Sequence, residues 1–122
     1  MRQVFLMCSP KYFGVHYVIN PWMVNQVVNL SKAQQEWSEF YNTLAGLTVV
    51  RLIEPQPHVP DMVFTANAGL SRGKIFLPSR FRHDERRPEE PYFKSWFESN
   101  GYKMVDLPVD IRFEGAGDAL FQ

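Results

Sequence analysis

The sequence predicts a mixed α/β chain, and three observations carry that expectation. Two stretches place apolar residues at helical spacing, short β-branched runs stand between turn formers, and one helix–glycine–strand passage occurs twice. The repeated passages are "YNTLAGLTVVRL" and "WFESNGYKMVDL", which superpose at an offset of 55 residues, with Gly46 on Gly101, Val50 on Val105 and Leu52 on Leu107. Each is followed, after a proline-containing loop, by a polar turn: Asp61 to Asn67 in the first copy, Glu114 to Asp118 in the second. Supersecondary units repeated at such a period share a core by stacking, and three or more are usually needed for stability. Two copies therefore read as part of a larger set.

Taken in order, "QVFLMC" (3–8) is a short apolar run closed by Ser9-Pro10 and suits a buried strand. The stretch "KYFGVHYVINPWM" is irregular, with Asn20 biased towards an extended conformation by Pro21. From Ser31 the spacing of Ala33, Trp37, Phe40, Tyr41 and Leu44 predicts a helix. Ser31 and Gln34 form its capping box and Gly46 its stop. "TVVRLI" (48–53) is β-branched and reads as a buried strand, followed by the proline-rich loop "EPQPHVP". "DMVFTANAGL" and "KIFLPS" flank "SRG" as a hairpin turning at Gly73. The charged "FRHDERRPEEP" reads as a polar loop. A second helix near 88–100 presents Tyr92, Phe93, Trp96 and Phe97 on one face and stops at Gly101, and "YKMVDL" (102–107) is the strand after it. The two apolar helix faces are expected to supply the core.

Composition narrows the function classes. A chain of 122 residues fits one domain and buries roughly two-thirds of its unfolded surface. At 45% hydrophobic and 15% aromatic it is a packed protein rather than a disordered one. Thirteen basic and thirteen acidic residues cancel, which argues against nucleic acid or an anionic membrane as partner. The apolar runs are too short to span a bilayer, and no signal-peptide pattern opens the chain, so a cytoplasmic protein is expected. The single cysteine, Cys8, excludes an internal disulfide framework and reads as a small core residue.

The polar residues leave two readings open. Asp61 and Asn67 are of types that stabilise turns, and Glu114 and Asp118 sit beside glycines as exposed turn acids do. The arginines and acids of residues 80–90 form a solvated surface on this reading, except that one arginine could grip a carboxylate in bidentate fashion. His16, His58 and His83 lack metal-ligand spacing, so none is assigned as a ligand.

Read together, "LMCSPKYFGVHYVINPWM", "PDMVFTANAG", "RHDERRPEE" and "FEGAGDALF" resemble the N-terminal part of the guanidino-group-modifying (pentein) superfamily. Its members include arginine deiminases, arginine dihydrolases, dimethylarginine dimethylaminohydrolases and amidinotransferases, and the chain is most similar to the dihydrolase branch. The resemblance implies two ββαβ units of a five-bladed, pseudo-symmetric α/β propeller, with residues 1–122 as one N-terminal portion of the catalytic domain. It implies hydrolysis of arginine or a close analogue to citrulline or ornithine plus ammonia, by a cysteine and a histidine lying beyond this chain. Glu114 matches the carboxylate that orients that histidine. Asn67 matches the residue that grips the guanidinium, Asn20 a substrate-pocket residue of the dihydrolase branch, Arg86 (or Arg87, by an alternative alignment) the binder of the substrate's carboxylate, and Asp118 a further substrate-binding position. "EGAGD" has one residue more between its acids than the usual "EGGD", which bears on Asp118.

The alternatives are an amidinotransferase and a guanidino-binding module without catalysis. The expected partner is a small guanidino compound, and the resemblance implies a reaction without metal or cofactor. The 122 residues alone are expected to be inactive and to self-associate through an exposed strand edge.

Overall fold

A computed structural model describes residues 3–122. The chain divides into two compact units, residues 1–65 and 66–122. Both are mixed α/β.

The first unit is built on a parallel pair. Strand β1 (Val4–Cys8) lies beside β2 (Val49–Ile53) in a register that sets Val4 opposite Val49 and Cys8 opposite Ile53. Parallel neighbours need a long crossover, and helix α1 (Leu30–Leu47) supplies it. Both strands bury their C-terminal ends: Cys8 and Ile53 are enclosed together with Met7, Val59 and Met62. Beyond β2 the chain makes 3-10 turns at Pro60–Val63 and Thr65–Asn67. Phe13 meets Phe64 edge to face at 5.5 Å, the Tyr17 hydroxyl donates to the buried carboxylate of Asp61, and the Thr65 hydroxyl donates to the carbonyl of Leu6 at 2.7 Å. These contacts tie the irregular segments back onto the sheet.

The second unit has the order ββαβ. Strands β3 (Gly69–Arg72) and β4 (Ile75–Pro78) pair antiparallel across the two residues Gly73 and Lys74. A 3-10 turn (Arg87–Glu89) leads into helix α2 (Glu90–Ser99), and the short β5 (Lys103–Met104) returns parallel to β4. Phe76 of β4 stacks on Phe97 of α2 with ring centres 3.5 Å apart and planes at 6°. Phe76, Phe81, Phe93, Phe97 and Ala68 form this unit's core. The end of α2 shows why Gly101 is needed. With φ at 85° it turns the chain so that its N–H donates to Glu98 and that of Tyr102 to Phe97, while the rings of Tyr102 and Phe97 meet at 4.9 Å. That is the Schellman arrangement, closed by its apolar contact.

Several expectations differ from what the chain does. Among the described residues the first unit has one strand ahead of its helix, not two. "DMVFTANAGL" is mostly 3-10 turn, because its polar and small residues satisfy their backbone locally, and only Gly69 and Leu70 reach the sheet. Helix α1 begins one residue earlier than expected and is capped by Asn29, whose side-chain oxygen accepts from the backbone N–H of Lys32 at 3.0 Å. Gly46 lies inside that helix, which ends at Thr48 in extended backbone. Helix α1 buries no residue completely: Trp37, Tyr41 and Leu44 are half-buried and Phe40 is 56% exposed. In α2 only Phe93 and Phe97 are buried, with Tyr92 exposed. No helix among the described residues is long and apolar enough to cross a membrane.

The cap assignment is testable. Asn29→Ala removes the acceptor for a first-turn N–H and should cost about 1 kcal/mol, whereas Ser31→Ala should cost close to nothing. Urea unfolding of both variants decides it; a larger loss for Ser31→Ala returns the cap to the capping box.

Candidate functional site

Glu114 sits on a turn whose backbone is clamped from both sides. The 3-10 turn Gly115–Gly117 follows it, and the Asp118 carboxylate accepts from the Glu114 N–H at 2.7 Å. The Glu114 carbonyl accepts from the Gly117 N–H and from the Asn67 side-chain amide, each at 3.2 Å. Upstream, Phe113 and Arg80 exchange two backbone hydrogen bonds, of 2.7 and 3.0 Å, in an isolated antiparallel bridge. The Glu114 main chain is thus fixed at its N–H, its carbonyl and the residue before it. No described side chain hydrogen-bonds its carboxylate, which is half-buried.

Gly115 makes this approach feasible. Its φ is 58°, and a Cβ there would stand 2.6 Å from the Ala66 carbonyl oxygen and 3.0 Å from the Asn67 backbone. Both the dihedral and the space exclude a side chain.

Asn67 is held as firmly. Its carbonyl accepts from the Ser79 hydroxyl, its Nδ2 donates to Glu114, and its Oδ1 accepts from Arg86 Nη1 at 2.9 Å. Arg86 is 6% exposed and Glu89 is fully buried. Arg86 Nε donates to Glu89 Oε2 at 2.8 Å and Nη2 to Oε1 at 2.9 Å, a bidentate pair of the kind guanidinium geometry favours. The guanidinium also lies 4.4 Å from the centre of the Phe81 ring. A solvated charged loop was expected here, and at Arg86 and Glu89 it is a buried one. The three-residue spacing across a 3-10 turn pairs the two charges, which makes their burial tolerable. Arg87 is used otherwise: it donates to the carbonyls of Phe81 and Arg82 and pairs with Asp84, tying the loop to itself.

The structure therefore joins Asn67, Arg86, Glu114 and Asp118 in one hydrogen-bonded chain within the second unit. Asn20 belongs to the first unit, where it precedes the 3-10 turn Pro21–Met23. Its Oδ1 is buried and accepts no hydrogen bond from any described residue. Asp118 is exposed and serves the backbone of Glu114. Sequence reasoning missed Glu89. The available signal was its position three residues after Arg86 beside a proline, which repeats the residue pattern of a turn that can pair its own charges. Among the described residues no group of three or more His, Cys, Asp or Glu gathers to hold a metal ion.

No family model matches the chain. A bifunctional arginine dihydrolase/ornithine cyclodeaminase, ArgZ of Synechocystis, is 51% identical over 118 residues, which are 95% of this chain and 17% of that protein. An N(G),N(G)-dimethylarginine dimethylaminohydrolase of Mycobacterium tuberculosis is 42% identical over 120 residues, 95% of this chain and 38% of the relative. Over 95% of its length the chain is thus similar to arginine dihydrolase-type and dimethylarginine dimethylaminohydrolase-type members of the guanidino-group-modifying superfamily. Among solved structures, a variant of AgrE, whose protein comes from Nostoc, in its binary complex with L-arginine matches with TM-score 0.92 at 50% identity. That match covers 96% of this chain and 18% of the other. The chain spans about a sixth of the length of the bifunctional relatives.

Replacing Gly115 tests the clamp. Gly115→Ala should destabilise the protein by about 1–3 kcal/mol, from the positive φ and the collision with Ala66 and Asn67. A melting temperature equal to that of the parent would show that the turn does not need this close approach.

Proposed function

We propose that the chain supplies the substrate-gripping side of a guanidino-group hydrolase, which takes arginine or a close analogue to citrulline or ornithine and releases ammonia. The observation that carries this reading is the match, over 96% of the chain, to a structure holding L-arginine, in a chain where Asn67, Arg86 and Glu114 are joined by hydrogen bonds. In this reading residues 1–122 are the N-terminal portion of a five-bladed α/β propeller, the ββαβ order of the second unit being one blade. The protein is cytoplasmic and needs no metal or other cofactor.

The chemistry requires two groups that these residues do not supply. A thiolate attacks the guanidinium carbon, the bond to the terminal nitrogen breaks, and a histidine delivers the proton with which ammonia leaves. Water then adds to the same carbon and the thiolate departs, giving the ureido product citrulline; ornithine as product requires a second hydrolysis, in which water cleaves the ureido group to a second ammonia and carbon dioxide. Cys8 is fully buried between the strand ends of the first unit, where a thiol is a poor nucleophile, so the attacking cysteine lies elsewhere. Glu114 orients the histidine from its clamped turn, in the role a triad carboxylate plays. Asn67 grips the guanidinium; Asn20, in the first unit, is a substrate-pocket residue whose open acceptor at Oδ1 suits an N–H donor. Arg86 binds the substrate's carboxylate.

Glu114→Gln keeps size and shape but removes the charge. In the protein of natural length it should lower kcat for arginine by about 100-fold or more while calorimetry still shows arginine binding. Undiminished release of ammonia by that variant would remove Glu114 from the mechanism. Binding of arginine without turnover by the parent protein would instead favour a guanidino-binding module.

A further inference from the structure

The buried pair formed by Arg86 and Glu89 carries more than its own stability. Two facing hydrogen bonds fix the plane of a planar group as well as its position, and here they leave Nη1 aimed at Asn67 Oδ1. The ring of Phe81 closes one face of the guanidinium at 4.4 Å. An amide can flip about its last torsion and exchange its oxygen for its nitrogen. Asn67 has a donor on one side and the Glu114 carbonyl, an acceptor, on the other, so only one of its two orientations satisfies both.

We propose that Glu89 is a positioning residue: by locking the plane of Arg86 it selects the orientation of the Asn67 amide presented to a guanidino ligand. This inference rests on the function proposed above. The chain of effect is physical and short. Without the Glu89 charge the Arg86 guanidinium loses the two facing hydrogen bonds that set its plane. The Nη1 donor to Asn67 Oδ1 is then held less firmly, and the amide samples its second orientation more often. Because Asn67 and Arg86 would hold the substrate equally before and during reaction, the loss falls on KM rather than on kcat.

The test uses the protein of natural length with Glu89→Gln, and Glu89→Asp as the milder change should the first fail to fold. KM and kcat for arginine are measured together with the side-chain NMR signals of the Asn67 amide. The expected result is a KM raised about tenfold with kcat changed less than about twofold, and Asn67 signals that shift or broaden. In an Arg86→Lys background the same change at Glu89 should raise KM no further, since the route through Arg86 is already broken. A variant with a lower melting temperature but parental KM and parental Asn67 signals overturns the proposal and leaves Glu89 a purely structural group. A parent that binds no guanidino compound overturns the functional reading instead, and the Asn67 signals then decide the positioning role alone.

Discussion

The guanidinium of Arg86, gripped by both oxygens of Glu89, is the contact on which the candidate site depends. Two opposite charges in a nearly water-free place are costly unless each is matched, and both are matched here. Once made, the pair dictates its neighbours. Arg86 fixes the amide of Asn67, Asn67 fixes the carbonyl of Glu114, and Asp118 fixes the N–H of Glu114. A side chain of the 3-10 turn before α2 is thereby linked to a turn nearly thirty residues later. The carboxylate of Glu114 is left as the unsatisfied end of the series. Rigid backbone beneath a free acid is what a positioned catalytic group requires.

The phenylalanine core of the second unit makes that series possible. Phe81 is fully buried and offers its face to Arg86, while its own backbone N–H is taken by the Glu90 carboxylate at 2.9 Å. Phe76 and Phe97 join the sheet to α2, and α2 starts directly after the turn that holds Glu89. Apolar packing thus sets where the helix begins, and the start of the helix sets where the buried acid points.

Much of the fold was readable in the residues themselves. The β-branched run at 49–53, the hairpin around Gly73 and the stop at Gly101 are local signals, and the chain obeys them. The helix start at Asn29 differs from the expected one because Ser31 and Gln34 carry the residue pattern of a capping box two positions further on, while the cap itself is the Asn29 side chain. The strand expected across 61–68 was misread because a half-apolar run can fold into turns as readily as it can extend. At the site, the resemblance drew attention to Asn67, Arg86 and Glu114, and the structure places these three in one hydrogen-bonded chain. Glu89 stayed hidden for a general reason: a charge beside other charges looks solvated until its partner's geometry is known. The dependence of Gly115 on the backbone of Ala66 is likewise a contact between distant residues, for which one sequence contains no signal.

Helix α1 has no residue fully enclosed, and that has a consequence for how the chain breathes. Its order rests on near-neighbour terms: the Asn29 cap, the stack of Trp37 on Tyr41 at 5.5 Å, the Gln35–Glu39 hydrogen bond and the exposed Lys32–Glu36 pair. Each contributes a fraction of a kcal/mol to about one, far less than burying a large aromatic side chain contributes. Helix α2, by contrast, cannot open without exposing Phe93 and Phe97. Amide protons of α1 should therefore exchange with solvent through small local openings, well before those of α2, and deuterium uptake followed by mass spectrometry would reveal the order. The helix that links the two parallel strands would then come loose more readily than the helix that packs on the hairpin.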